Sequence, residues 1–391
     1  MLNSLALLRK MPLRQSIKRI LFKISGRVIT LSPKGPVRGR VLISYTTLPF
    51  LDTRDRIMNA HSNRWECRQI ATEFLERGFI VDVIDFNNTN FKPKHAYTYC
   101  IDVEYALDRL TPLLNKECIR IFYATAAHWL FWNAAEDTRL LDIQKQRGAT
   151  IFPQRIAVPT RGPDLAHIIL SLCGKLPEDT YRYLNKEIHH IQVSSSHTYP
   201  KPQKDFDRAR KQFIWFGGSG VVRKGLNVVL EAFAGMPEFT LLVCGKYDGE
   251  VDFTDAYKKE LTLTPNIKAL GYMDPASDTF KNILNDSLGI VYPSSAEGCA
   301  TSVLLAMHAG LIPILSRETG VETRDFGVML DSCSVDAVQR AVRALAAEPA
   351  ASLGQRSLAT WEYVHANHTR EAFTRSFSSF VDRLEQKYGN N

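Results

Sequence analysis

The chain has 391 residues, of which 45% are hydrophobic and 23% charged. That length suits two domains of roughly 150–200 residues, and that composition excludes disordered and fibrous classes. No run of about 18 apolar residues occurs, so no segment reads as membrane-spanning. The formal charge of +8 is local: residues 1–40 hold ten Lys or Arg and no acid, the first acid being Asp52, which leaves about −2 for the other 351 residues.

The N-terminal stretch LRQSIKRILFKISGRV sets Leu13, Ile17, Ile20, Leu21 and Ile24 at spacings of three and four, with Arg14, Lys18 and Lys23 largely on other faces. This is the pattern of a basic amphipathic helix. Contact of residues 1–33 with an anionic membrane surface and packing on the chain's own domain both stay open. Nucleic acid is set aside, because no recognition motif accompanies the charge. There is no clean apolar stretch followed by a small-residue cleavage site, so no signal peptide is read. The seven cysteines are scattered, without a C-x-x-C or a zinc spacing, and most sit in apolar runs such as FTLLVCG around Cys244. They read as small core residues, and the expected location is cytoplasmic, at the inner face of the membrane if the N-terminus binds it.

From residue 38 the chain alternates β-type runs with helical patterns. RGRVLISY (38–45) predicts a strand, 61–78 a helix, FIVDVIDF (79–86) a strand, 103–115 a helix and CIRIFYAT (118–125) a strand. A less regular section follows, with a strand at AHIILSL and a closing strand at HIQVSS (190–195). Such alternation implies parallel β-α-β units. The polar segment 196–211, with two prolines, reads as a linker. Beyond it come strand QFIWFGG, helix LNVVLEAFAG, strand FTLLVCG, helix DAYKKELTL and strand NIKALGY. A helix starting near Asp274–Ser277, strand SLGIVYP, helix ATSVLLAMHAG, strand LIPILS and a helical stretch over 334–388 complete the chain. The expected organisation is a basic segment (1–37), an N-terminal Rossmann-like domain (38–195), a linker (196–211), a C-terminal Rossmann-like domain (212–360) and a closing helix (361–391) that can cross back to the first domain. The fold class is α/β, with two Rossmann-like domains facing a cleft and helices at the C-terminus.

Open parallel sheets bind ligands beyond the carboxyl ends of their strands, so the loops there carry the candidate chemistry. In GGSGVVRKGLNVVLEAF (217–233) a strand ends in glycines and Lys-Gly opens a helix. Gly218, Ser219 and Gly220 can bring backbone N–H groups to a phosphate, and Lys224 adds a full charge. The competing reading is a glycine-rich turn, since this is neither a Walker loop nor a clean G-x-G-x-x-G. In YPSSAEGCATSVLLAMHAGLIPILS (292–316), Glu297 and Gly298 lead into a helix whose first residues include Thr301 and Ser302. That is a second seat for an anion, with Glu297 placed to hold sugar hydroxyls. The competing reading is an ordinary helix start with an acid that favours the macrodipole.

These two segments, with ALGYMD (269–274) between them, resemble the C-terminal half of the group 1 (family 4) glycosyltransferases of the GT-B fold. GSGVVRKG…LEAF matches the family's G-R-L-x-x-x-K-G segment and its E-A-F helix end. PSSAEGCATSVLLAMHAGLIP matches P-S-x-x-E-G-x-x-x-x-x-x-E-A-M-A-x-G-x-P. The resemblance covers about residues 212–330 and is architectural only over 40–195. It implies a two-domain enzyme that takes a nucleotide diphosphate sugar as donor substrate, uses no cofactor or metal, retains anomeric configuration and glycosylates a saccharide or lipid-linked acceptor.

On that resemblance Lys224, Glu297 and His128 are the catalytic candidates. Gly218, Ser219, Gly220, Arg223, Gly298, Thr301 and Ser302 are the donor-binding ones. His128, in YATAAHWLFWN, occupies the place of the family's cleft histidine, although a lone His beside two Trp also reads as structural. His61, Asn63 and Arg64 open the helix after the long loop 46–60 and are acceptor-side candidates. Two departures stand out. Ser219 falls where the family has Arg, with Arg223 as the neighbouring replacement, and Leu305 falls where a second Glu holds the ribose, with Glu318 as one replacement. They leave open a non-catalytic nucleotide-sugar-binding relative; a nucleotide-sugar epimerase on the same two-domain architecture is a separate alternative. The DFD triplet at 205–207 spells a metal motif but sits in the linker and is discounted.

Overall fold

The computed structural model describes residues 28–172 and 175–389. The basic amphipathic pattern at Leu13–Ile24, and the membrane reading attached to it, lie outside the described residues, as does Cys173. The chain divides into two compact units. Of the described residues, 28–123, 160–170 and 186–189 form the first; 124–159, 171–172, 175–185 and 190–389 form the second. Residues 124–159, read from sequence as part of the first half, therefore group with the second.

The first unit is built on a seven-stranded sheet: β1 (Ile29–Leu31), β2 (Gly39–Tyr45), β3 (Phe79–Asp85), β4 (Tyr99–Asp102), β5 (Ile119–Ala124), β6 (Ile168–Leu172) and β7 (Ile188–Ile191). Their order is β1-β3-β2-β4-β5-β6-β7. β2 pairs in parallel with β3 and β4, and β4 with β5. Near-continuous burial along β2 and β3 is what a parallel sheet covered on both faces requires.

β1 lies within the segment expected to stand apart from the domain. It instead extends the sheet as an antiparallel edge strand against β3. Thr30 donates to Asp82 at 2.6 Å, and Arg40 and Tyr97 each reach the same carboxylate at 2.8 Å. A buried acid in mid-strand is thereby fully partnered. The helix expected over 103–115 is only Ala106–Leu110 with a 3-10 turn at Thr111–Leu113. Pro112 has no N–H to continue the α-helical ladder. The strand expected at 190–195 lies at β7, and β4 had no counterpart in the sequence reading. Helix α1 (Ser62–Glu76) follows the loop after β2, as expected.

The second unit holds six strands, β8 (Gln212–Gly217), β9 (Thr240–Gly245), β10 (Ile267–Gly271), β11 (Gly289–Tyr292), β12 (Ile312–Leu315) and β13 (Val328–Met329). They pair in parallel in the order β10-β9-β8-β11-β12-β13. The strand order reverses at β8, so the topological switch point lies between β8 and β11. Helices of this unit include α2 (Trp129–Arg147), α3 (Leu226–Ala234), α4 (Asp278–Asn285), α5 (Thr301–Met307), α6 (Val335–Ala346), α7 (Ala350–Asn367) and α8 (Arg370–Tyr388). The amphipathic face of α3 buries Leu226, Val229, Leu230 and Phe233 completely, each contributing about 1.5–3 kcal/mol. Ser277 caps α4 through the Phe280 N–H, at the start expected from sequence. Among the described residues no helix is long and apolar enough to cross a membrane. Cys67, Cys100, Cys118 and Cys244 are buried free thiols, whereas Cys299 is disulfide-bonded.

Candidate active site

Both sequence motifs lie at the switch point of the second unit. The loop after β8 carries Gly218–Lys224 and the loop after β11 carries Pro293–Ala300. The two loops are joined backbone to backbone: Ser295 N–H donates to the Arg223 carbonyl at 2.8 Å. Gly225 makes this approach possible. It has φ +76°, and a Cβ there would stand 2.3 Å from the Pro293 carbonyl oxygen, so only glycine fits.

Lys224 and Glu297 are brought together as a buried pair, with Nζ 2.7 Å from Oε1. Arg223 stands 3.1 Å from the same oxygen, and the Tyr292 hydroxyl lies 3.5 Å from it. Burial alone would raise the pKa of Glu297, but Arg223 and Lys224 outweigh it and hold the carboxyl at about 2. Burial pushes Lys224 down to about 8, with Glu297 opposing. Glu297 is thus a fixed anion, while burial holds Lys224 below the ordinary lysine value.

The other donor-side candidates are placed as follows. Arg223 is fully buried. Its NH1 donates to the Ala296 carbonyl, and its guanidinium stacks 3.7 Å from the Trp132 ring centroid. It sits behind Glu297 and orients it, rather than standing open beside the turn. Gly218 is exposed and Ser219 half-buried, but the Gly220 N–H is taken by the Glu250 carboxylate at 2.5 Å, and Val221 N–H by the same group. A carboxylate of the chain therefore occupies two of the turn's donors. Burial, with the charges of Glu136 and Asp252, raises the pKa of Glu250 against the pull of those amides.

Gly298 abuts the backbone of Thr125 and Ala126, and the Ala127 N–H donates to the Glu297 carbonyl at 3.3 Å. At the start of α5 the Ala300 N–H is bound by the Thr319 carbonyl at 3.0 Å, while Thr301 and Ser302 remain half-buried. His128 follows β5 and caps α2 through the Leu130 N–H. Its Nε2 lies 3.2 Å from the Tyr183 hydroxyl, and the N–H of the preceding residue, Ala127, bonds the Glu297 carbonyl.

His61, Asn63 and Arg64 belong to the first unit. His61 caps α1 by accepting from the Asn63 N–H at 3.2 Å, and Arg64 donates to the Ile57 carbonyl at 2.8 Å. Leu305 is buried on α5, and Glu318 follows β12 near the Arg139 guanidinium. In the DFD triplet Asp205 caps a short helix by accepting from Asp207 and Arg208 N–H, and Asp207 pairs with Arg210.

Sequence reasoning missed Glu250, Tyr292, Trp132 and Arg139. Arg139 is buried on α2 and donates to the carbonyls of Val222, Arg223 and Pro293 at 3.1, 3.1 and 2.9 Å, tying both motif loops to one helix. Glu250 follows β9 at its carboxyl end, the same signal that located the two motifs. The α2 residues carried no such signal.

Residues 200–356 match the family model described as glycosyl transferases group 1. A search of curated proteins finds no match. Among solved structures, the chain is similar to sucrose-phosphate synthase from Thermosynechococcus elongatus, with a TM-score of 0.59 and 14% identity over 90% of this chain and 100% of that one. It is also similar to HepE of Anabaena, solved with UDP and glucose, at TM-score 0.56 and 9% identity over 89% and 99% of the two chains. A third is WaaG, a glycosyltransferase involved in lipopolysaccharide biosynthesis, at TM-score 0.51 and 14% identity over 87% and 99%. The likeness to these structures shows the fold class, the GT-B architecture of parallel-sheet units. Within that class the chain resembles the group 1 enzymes, and the likeness in sequence is carried by the second unit, where the β8 and β11 loops meet.

Proposed function

We propose that the protein moves a hexosyl group from a nucleotide diphosphate sugar to a saccharide or lipid-linked acceptor, without a metal and with retention of configuration. The observation that carries this reading is the buried Lys224–Glu297 pair at the switch point, 2.7 Å apart, with the exposed end of the glycine turn beside it. Lys224 meets the departing diphosphate, helped by Gly218 and Ser219. Glu297, held ionised, accepts from the hydroxyls of the donor sugar, and Thr301 and Ser302 face the β-phosphate or the sugar. His128 contacts the transferred sugar, and His61, Asn63 and Arg64 serve the acceptor. The bond from the anomeric carbon to the phosphate oxygen breaks through an oxocarbenium-like state. The acceptor oxygen then bonds to the same face, and its proton passes to the departing phosphate. Fixed charges placed before the reaction act without reorganisation cost.

One observation favours a second reading, a non-catalytic nucleotide-sugar-binding relative: Glu250 already holds two of the turn amides, and Leu305 offers no acceptor for a ribose. A screen of UDP-, GDP- and ADP-sugars by thermal shift and hydrolysis, beside Lys224→Ala, separates the two. A shift and turnover with one nucleotide, both lost in the variant, is the expected result. A shift without turnover against any saccharide or lipid-linked acceptor supports the binding relative, and no shift from folded protein overturns the donor reading. Action at the inner membrane face, through residues 1–33, is part of the proposal. Unchanged partition onto anionic vesicles after deletion of residues 2–33 removes that part alone.

A further inference from the structure

Ser219 leaves the donor site one cation short of what the group 1 resemblance implies, and Arg223 does not fill the gap. Its Nε and NH2 have no hydrogen-bond partner among the described residues, yet both atoms are enclosed. The side chain is committed to Ala296, Glu297 and Trp132. The amides of Gly220 and Val221 are held by Glu250. Arg223, Lys224 and Glu297 together carry a single net positive charge, little against a diphosphate.

Arg155 stands over this turn. Its side chain is exposed, and its Cδ and Cγ lie 3.3 and 3.4 Å from where a Cβ on Gly220 would be. Glycine at φ +81° is what lets the arginine stem cross the turn so closely. The guanidinium makes no hydrogen bond or ion pair with any described residue. It is near enough to act electrostatically on Lys224, Glu297 and Tyr292.

The backbone beneath it is fixed. Trp132 Nε1 donates to the Arg155 carbonyl at 2.7 Å, Gln154 N–H donates to Glu136 at 3.2 Å, and Asn133 bonds both polar groups of the Ala157 backbone at 2.8 and 2.9 Å. Phe152 N–H is held by Asp252 at 2.6 Å. An unpaired guanidinium on an anchored loop, beside a lysine already shared with a carboxylate, is suited to bidentate contact with phosphate oxygens.

We propose that Arg155 supplies the second cation for the donor diphosphate, taking from a loop packed on α2 the role that Ser219 cannot perform. This rests on the donor reading above and adds a donor-binding and specificity residue to it. Arg155 raises the net charge of the cluster it forms with Arg223, Lys224 and Glu297 from one to two. It acts on the terminal phosphate, so it discriminates nucleoside diphosphate from monophosphate.

The test is calorimetric or fluorescence titration of the full chain with UDP, GDP and ADP and with the corresponding monophosphates, for wild type, Arg155→Ala, Arg155→Lys and Arg155→Ala/Ser219→Arg. Arg155→Ala is expected to weaken diphosphate binding roughly ten- to hundredfold and to change monophosphate binding little, with its melting temperature preserved. Arg155→Lys retains part of the affinity, and Ser219→Arg restores part of it in the alanine background. If Arg155→Ala weakens both ligand classes equally, or neither, Arg155 is not a diphosphate ligand, while the donor reading stands. If wild type binds no nucleotide, both readings fall together.

Discussion

Lys224 Nζ and Glu297 Oε1 meet at 2.7 Å, although the two residues are 73 positions apart and lie on loops from different strands. The pair is buried, and Arg223 completes it from behind at 3.1 Å. Its two ends are not equivalent. Glu297→Gln leaves two buried cations facing each other without an anion, and the cost expected is about 3–5 kcal/mol. Lys224→Met leaves Glu297 paired with Arg223 and removes a charge whose burial is unfavourable, so the loss is smaller, no more than about 2 kcal/mol. Urea unfolding of both variants checks the order. The reverse ranking would mean that Lys224, not Arg223, is the main partner of the carboxylate.

The depressed pKa of Lys224, about 8, sets opposite pH dependences for binding and stability. Between about 8 and the ordinary lysine value of 10.5, the native chain has lost a proton that the unfolded chain keeps. Stability therefore rises with pH across that window, by at most about 1.4 kcal/mol per unit. Over the same window the cation that meets the diphosphate disappears, and nucleoside diphosphate affinity falls by up to about tenfold per unit. The measurement is the difference between wild type and Lys224→Met in urea midpoint and in UDP, GDP or ADP affinity from pH 7 to 9.5. Parallel rather than opposite trends would exclude Lys224 as the titrating group.

Two buried histidines contribute on the acid side. Burial pushes His308 down to about 3 and His368 to about 4. His308 Nε2 donates to the His368 carbonyl at 3.0 Å, and His368 Nδ1 to the Val193 carbonyl at 3.3 Å. The groups facing them are His365, which disfavours charge on His308, and Glu322 and Arg324, which act in opposite senses on His368. Both histidines stay neutral in the fold while the unfolded chain takes up protons below 6.5. Their stabilisation is present above that value and is lost as pH falls towards 4, by up to about 1.4 kcal/mol per unit for each. Denaturant midpoints between pH 7 and 4.5 should fall less steeply in His308→Gln and His368→Gln. Equal slopes in wild type and both variants would assign the acid transition to other groups.

The second unit was legible because local signals agreed. Strand β8 ends in glycines, Lys224–Gly225 opens a helix, and Glu297 follows a buried strand, each readable within a dozen residues. Parallel strands read as apolar runs since both faces are covered, and loops at their carboxyl ends hold the site. Helix α2 was not legible. Its buried positions are Trp132, Glu136, Arg139 and Ile143, so its inward face carries two charges and the apolar periodicity that marks a helix is broken.

Those charges are buried because Glu136 accepts from Gln154 and Arg139 caps three carbonyls of the motif loops, partners that only the fold brings within reach. The sequence by itself determined the parallel α/β architecture, the two motif loops and the residue types at their tips, since these follow from short-range periodicity and turn chemistry. The tertiary structure alone decided which cations near the turn are paired among the described residues. It buried Arg223 behind Glu297, seated Glu250 on the turn amides and laid Arg155 across Gly220. A charge's role depends on what else stands within a few ångströms of it, and those neighbours come from distant parts of the chain.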